Sequence, residues 1–156
     1  MDPLNLPAYS FKIRTENQKS YIFDSIRKKH VLLTPEEWVR QNFIRFLNEE
    51  KHYPLGLIAV ETPFKINRLT KRSDIVVFKR DGNPWIMVEC KAPQVEIAQK
   101  VIDQIARYTL HFKASFLIVT NGLQHYCLKL DQSSQKYTFI KEIPDYENMI
   151  ESGIAR

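Results

Sequence analysis

The chain has 156 residues, 44% hydrophobic and 26% charged, which suits one globular domain with a real core and excludes a disordered chain. Its net charge of +5 and pI near 9.2 fit an anionic partner such as nucleic acid, although many basic proteins bind none. Both cysteines sit in apolar runs, there is no basic region followed by an apolar leader, and no stretch approaches about 18 apolar residues, so a disulfide scaffold, a secreted protein and a membrane span are not expected, and a reducing cytoplasm is.

In chain order, Phe11–Arg14 and Tyr21–Asp24 alternate like short exposed strands, and residues 1–33 read as N-terminal strands or an arm. The basic run Arg27-Lys28-Lys29-His30 is more simply a solvated turn than a phosphate contact. A helix opens at Thr34-Pro35-Glu36-Glu37: Thr34 can cap free amides, Pro35 has no amide to leave unpaired, and Glu37 completes a capping box. Val39, Phe43, Phe46 and Leu47 give it one apolar stripe up to about Lys51-His52. Glu37 borders that stripe; its capping role explains it, and a part as a third active-site acid is the alternative. Leu55–Glu61 reads as an apolar strand ending in an edge acid. The segment 64–72 then carries Lys65, Arg68, Lys71 and Arg72, either a solvated basic loop or a surface for a polyanion.

The next stretch organises the chain. Ser73–Phe78 and Trp85–Lys91 are two apolar runs joined through Asp81-Gly82, which supplies the positive φ of a tight hairpin. If Asp81 and Gly82 form the turn, Phe78 faces Trp85, Val76 faces Met87 and Asp74 faces Glu89. A four-residue loop would instead set Asp74 opposite Lys91. Either way the period of two puts Asp74, Glu89 and Lys91 on one face, with Val88 and Cys90 on the other. Opposed like charges, with Cβ atoms about 5 Å apart, destabilise a sheet. Two remedies stand open at this point: an internal salt bridge from Lys91 or Arg72, or a divalent cation such as Mg²⁺ held by the two carboxylates.

Ala92-Pro93 ends the strand, and helical periodicity runs from about Gln94 to Phe112, with Ile97, Val101, Ile105 and Phe112 on one face. Gln104 and Tyr108 fall beside Ile97, facing the sheet, where they bond backbone or serve the site. Phe116–Thr120 is an unbroken apolar strand, so strand, helix, strand predicts a parallel crossover. Asn121-Gly122 turns into the alternating strand His125–Leu130; Tyr137–Ile140 adds an edge strand, and residues 144–156 a short helix or tail. The four histidines show no metal-ligand spacing, and no glycine-rich phosphate loop occurs. The fold class expected is α/β of the three-layer α+β type, a central mixed β-sheet flanked by helices. One domain covers 1–156, with its core over 34–130 and a C-terminal edge and tail over 131–156.

The order helix, strand, Asp74 hairpin, Glu89-x-Lys91, then Gln104-x-x-x-Tyr108 on a helix resembles the PD-(D/E)XK nucleases. Lys71–Val76, Val88–Pro93 and Asp103–Tyr108 are similar to the N-terminal nuclease domain of type I restriction enzyme R subunits. Glu-x-Lys alone is a weak pattern; the ordered set is fairly specific. Ser73 stands where the family name expects proline, a minor departure. The resemblance implies an endonuclease hydrolysing DNA phosphodiester bonds, with Mg²⁺ (or Mn²⁺) on Asp74, Glu89 and the backbone carbonyl of Cys90. Lys91 would support the attacking water or the phosphate, and Gln104 and Tyr108 would be auxiliary, positioning the substrate strand. It also implies motor, specificity and methylation subunits as partners, since the R subunits couple this domain to an ATP-driven motor and no phosphate loop is present here. The alternatives are a catalytically silent nucleic-acid-binding or assembly module of the same fold, and a repair or RNA-directed nuclease.

Overall fold

The computed structural model describes residues 1–154; residues 155–156 of the expected C-terminal tail lie outside the described residues. A small antiparallel sheet comes first: β1 (Ile13–Glu16), β2 (Lys19–Asp24) and β3 (Lys29–Leu32). The basic run 27–30 is therefore a turn at Arg27-Lys28 that continues as a strand, with Lys28 in the left-handed region (φ 55). Helix α1 (Pro35–Glu49) begins as the sequence dictates, Thr34 accepting a hydrogen bond from the Glu37 amide at 3.0 Å.

The main sheet has six strands in the order β4 (Ile58–Ile66), β5 (Leu69–Phe78), β6 (Pro84–Cys90), β7 (Phe116–Thr120), β8 (His125–Asp131), β9 (Lys136–Ile140). Every neighbouring pair is antiparallel except β6 and β7, which are parallel and joined through α2 (Gln99–Thr109). The mixed sheet flanked by helices is the architecture expected. Helix α2 is shorter than the periodicity implied: residues 92–98 form an irregular connection pinned by the Asn121 side chain on the Val95 carbonyl, and 110–112 tighten into a 3₁₀ turn. Helix α3 (Tyr146–Ile154) closes the chain.

Alternation along the strands divides two cores. Ile75, Val77, Ile86, Val88, Cys90 and Ile118 pack against Val39, Phe43, Ile44 and Leu47 of α1 and Met149 of α3. On the other face, Leu117, Val119 and Leu128 pack against Ile102 and Ile105 of α2, and Val76 and Met87 against Phe64, Tyr108 and Phe112. Both cysteines are free and buried, as their apolar setting implied.

The segment 64–72 is a correction to the loop reading. It is the far half of a long β4–β5 hairpin, paired from Ile58↔Val77 to Ile66↔Leu69 around a two-residue turn entered through Asn67 (φ 56). One pair is missing from that ladder, Glu61 opposite Asp74, and Glu61 adopts φ 50. Parity breaks there. Ile58 and Val60 pack on the α1 side, whereas Phe64 and Ile66, of the same parity, pack on the α2 side. A non-glycine residue in the left-handed region costs on the order of 1 kcal/mol, and here it redirects the hairpin across α2.

Under the sheet, Trp85 Nε1 donates to the Tyr53 hydroxyl at 2.8 Å, which donates in turn to the Pro144 carbonyl at 2.7 Å. This buried relay ties the β6 strand to the segment before α3. Tyr53→Phe strands both partners in the core and is expected to lower unfolding stability by about 1–3 kcal/mol in urea denaturation, with the secondary structure unchanged.

Candidate active site

The β5–β6 register sets the site. Ile75 pairs with Val88, Val76 with Met87 and Val77 with Ile86, the alignment a two-residue turn predicts for this stretch. A bulge after Val77 shifts Phe78 onto Pro84 instead of Trp85, and the loop 79–83 closes with the Lys79 amide on the Asn83 carbonyl at 2.8 Å and Gly82 at φ 89. Because the bulge lies on the turn side of Val77, the register at the far end is untouched. Asp74 and Glu89 therefore meet side chain to side chain. Burial first, and then the charge of Asp74, push the Glu89 carboxyl up to about 8, against the pull of Lys91.

Asp74 is neutralised by a residue that sequence reasoning did not single out. Arg40 of α1, only 6% exposed, places Nη2 3.0 Å from Asp74 Oδ1, while the Cys90 amide donates to Oδ2 at 2.7 Å. Arg40 also holds Glu37 at 3.1 Å and Glu61 at 3.4 Å; its Nε has no hydrogen-bond partner among the described residues. Arg27 lies behind it, bridging Asp24 at 2.5 Å, Glu37 at 3.0 Å and Glu61 at 3.3 Å. Burial alone would raise the Asp24 pKa, but bonds from the Arg27 side chain and the Arg27 and Ile26 amides hold it below its ordinary value. The signal for Arg40 was its place: one turn after the capping acid, at the border of the apolar stripe.

Glu37 lies in the charge network behind the two acids. It is 7% exposed and its carboxylate is taken by Arg27, Arg40 and Gln41, the last at 3.0 Å. The acid of α1 that senses the site is its neighbour Glu36, whose pKa is raised by burial and by Asp74 and lowered by Arg40 and Lys91. Lys91 continues the β6–β7 pairing through its amide, 2.8 Å from the Thr120 carbonyl. It is half-buried and makes no ion pair within 4.0 Å among the described residues. The internal salt bridge offered by sequence reasoning therefore exists, but Arg40 makes it. Arg72 instead reaches the Glu61 carbonyl at 3.4 Å.

From α2, Tyr108 reaches Glu89, and burial together with the Glu89 and Asp74 charges raises its pKa. Lys71 stands over the Tyr108 ring, Nζ 5.1 Å from the centroid. Gln104 is exposed and makes no hydrogen bond among the described residues; the glutamine–tyrosine pair shares a helix edge, and the tyrosine alone reaches the carboxylates. Lys65 and Arg68 are exposed on the outer hairpin.

No group of three or more His, Cys, Asp or Glu side chains is arranged for a metal among the described residues. Magnesium, however, is held by one or two carboxylates and fills its remaining positions with water and phosphate. Two carboxylates side by side, one forced toward its neutral form by burial and by its neighbour, suit a divalent cation, whose charge would oppose both effects on Glu89.

Comparison with known proteins gives the family of the chain and the likeness of its fold. The family model described as type I restriction enzyme R protein N terminus matches residues 35–144. No curated protein sequence matches the chain. A solved fragment described as the HsdR subunit of a type I restriction enzyme from Vibrio vulnificus YJ016 is 20% identical, with a TM-score of 0.53. The alignment covers 76% of this chain and 25% of that one, so the likeness is one of fold. A structure described as a nuclease of the DUF820 group from Anabaena variabilis ATCC 29413 is 12% identical over 88% of each chain, with a TM-score of 0.49. On the family match, which spans the greater part of its length, the chain belongs to the type I restriction enzyme R protein N-terminus family.

Proposed function

We propose that this chain is a Mg²⁺-dependent endonuclease domain that hydrolyses DNA phosphodiester bonds as part of a restriction complex. The observation that carries the reading is the contact between Asp74 and Glu89 at the end of β6, beside an ammonium, Lys91, with no ion-pair partner among the described residues. A purely structural charge cluster would use that lysine. Here Arg40 neutralises Asp74, and Lys91 remains for a ligand.

Each residue then has a task. Asp74 and Glu89 would hold the cation, with the backbone carbonyl of Cys90 as a further donor, and a divalent ion there would supply positive charge to the phosphoryl oxygens and lower the pKa of an attacking water. Arg40 and the Cys90 amide orient Asp74; Tyr108 orients Glu89. Lys91 steadies the phosphate or the attacking oxygen, and Gln104, exposed on the same helix, contacts the substrate strand. Lys65, Arg68, Lys71 and Arg72 bind the nucleic acid backbone. Mn²⁺ would serve in place of Mg²⁺. Its partners on this reading are motor, specificity and methylation subunits and its location the cytoplasm, and membership of the R protein family is what supports both. No helix among the described residues is long and apolar enough to cross a membrane.

Asp74→Ala and Lys91→Ala are each expected to lower Mg²⁺-dependent nicking of supercoiled DNA by about 10²-fold or more, with unchanged circular dichroism. The fold should survive because Arg40 keeps Glu37 and Glu61 when Asp74 is removed. If wild-type protein does not nick DNA in Mg²⁺, even with the complex's motor present, the reading fails and a silent module is left. Cation binding is checked separately: at a hundredfold excess over Kd, Mg²⁺ should stabilise the wild type by about 2.7 kcal/mol in thermal denaturation and leave Asp74→Asn unmoved. Equal shifts in both proteins would place the cation elsewhere.

A further inference from the structure

The outer half of the β4–β5 hairpin is built differently from the rest of the sheet. Residues 62–73 carry Lys65, Arg68, Lys71 and Arg72 and no acid. All four cations are exposed. Beside Arg68 at the turn, Leu69 is 65% exposed, the most exposed large apolar side chain among the described residues. A single exposed apolar side chain is ordinary on a protein surface, but this one stands at the tip of a ribbon whose charged side chains are all cationic. The ribbon is nonetheless firmly seated at its base, where Phe64 packs edge-on against Phe112 with ring centroids 4.1 Å apart and Lys71 covers Tyr108. Its direction follows from the left-handed Glu61 opposite Asp74.

We infer that this ribbon enters the major groove of duplex DNA, with Leu69 against the base edges and the four cations on the flanking phosphates. The inference rests on the nucleic-acid reading above and deepens it. The major groove, about 12 Å wide, admits a two-stranded β-ribbon and offers thymine methyl groups to an apolar side chain. Leu69 lies five residue steps before Asp74, so at about 3.4 Å per step the tip reaches about 17 Å beyond the carboxylates, roughly half a turn of duplex. The groove is thus engaged half a turn from the phosphate at the acids. Duplex RNA does not fit this arrangement, because its major groove is too narrow and deep for side chains to read. The ribbon is therefore what discriminates B-form DNA from duplex RNA, with modest preference for thymine-bearing steps near the tip.

The test is binding of a duplex DNA oligonucleotide in EDTA, where hydrolysis plays no part, together with methylation protection of guanine N7, an atom of the major groove. Wild-type protein should protect guanines on the major-groove side and bind duplex DNA better than duplex RNA of the same sequence. Replacing Lys65, Arg68, Lys71 and Arg72 by glutamine should flatten the salt dependence, lowering the slope of log K against log salt by about 3–4. Leu69→Ser, an exposed change with no bearing on folding, should weaken binding several-fold and leave the slope unchanged. An unchanged slope in the glutamine variant, unprotected guanine N7 in the wild type, or equal affinity for duplex RNA would each overturn the inference. Protection in EDTA without any cleavage in Mg²⁺, even with the complex's motor present, would leave the ribbon standing and sink the nuclease; cleavage without protection would do the reverse.

Discussion

Asp74 and Glu89 are held in contact on one face of the sheet, and two unit charges about 4 Å apart at an effective dielectric of about 20 interact by about 4 kcal/mol. That repulsion has to be met locally, and three features answer it. Arg40 crosses from α1 to take one oxygen of Asp74, the Cys90 amide takes the other, and Glu89 moves toward its neutral form. Breaking such a pair by removing only the arginine would leave a buried charge unpaired, at about 3–5 kcal/mol. The apolar stripe of α1 thus docks the helix on the sheet, and its charged border sets the state of the site.

Much of this was legible before any coordinates. The Thr34 cap, the reversal through Gly82 and the apolar run at 116–120 each specify local geometry, and the period of two then puts Asp74 and Glu89 on one face, although Glu37 does not complete the capping box and the reversal is the longer loop 79–83. What escaped was non-local. Arg40 lies 34 residues from Asp74, and nothing in its own neighbourhood announces that partner. Glu37 was legible as a cap, but Arg27, ten residues earlier on the turn before β3, decides what its carboxylate does. The outer hairpin was missed because its strands are basic and exposed, so they lack the apolar alternation that marks a half-buried strand. Helix α2 was read too long because periodicity alone does not register where a connection such as 92–98 stops being helical.

The left-handed Glu61 is a further place where local preference yields to the whole. An acid has no backbone reason to adopt φ 50, yet its side chain is caught between Arg27 and Arg40, and the position lies opposite Asp74. Strain of this kind persists only where the surroundings over-determine it. The same residue thus contributes a charge to the network behind the site and a pivot to the strand in front of it.

The arginine network also bears on where this domain physically begins. The family match starts at residue 35, at the first turn of α1, and leaves the small sheet outside. Arg27 stands on the excluded side, yet it is bonded to Glu37 and Glu61 on the included side. A chain cut at that boundary would leave Arg40 alone among Glu36, Glu37, Glu61 and Asp74, with one guanidinium shared by four carboxylates. The boundary that homology draws and the boundary that charge balance draws are separated by at least one strand and one turn.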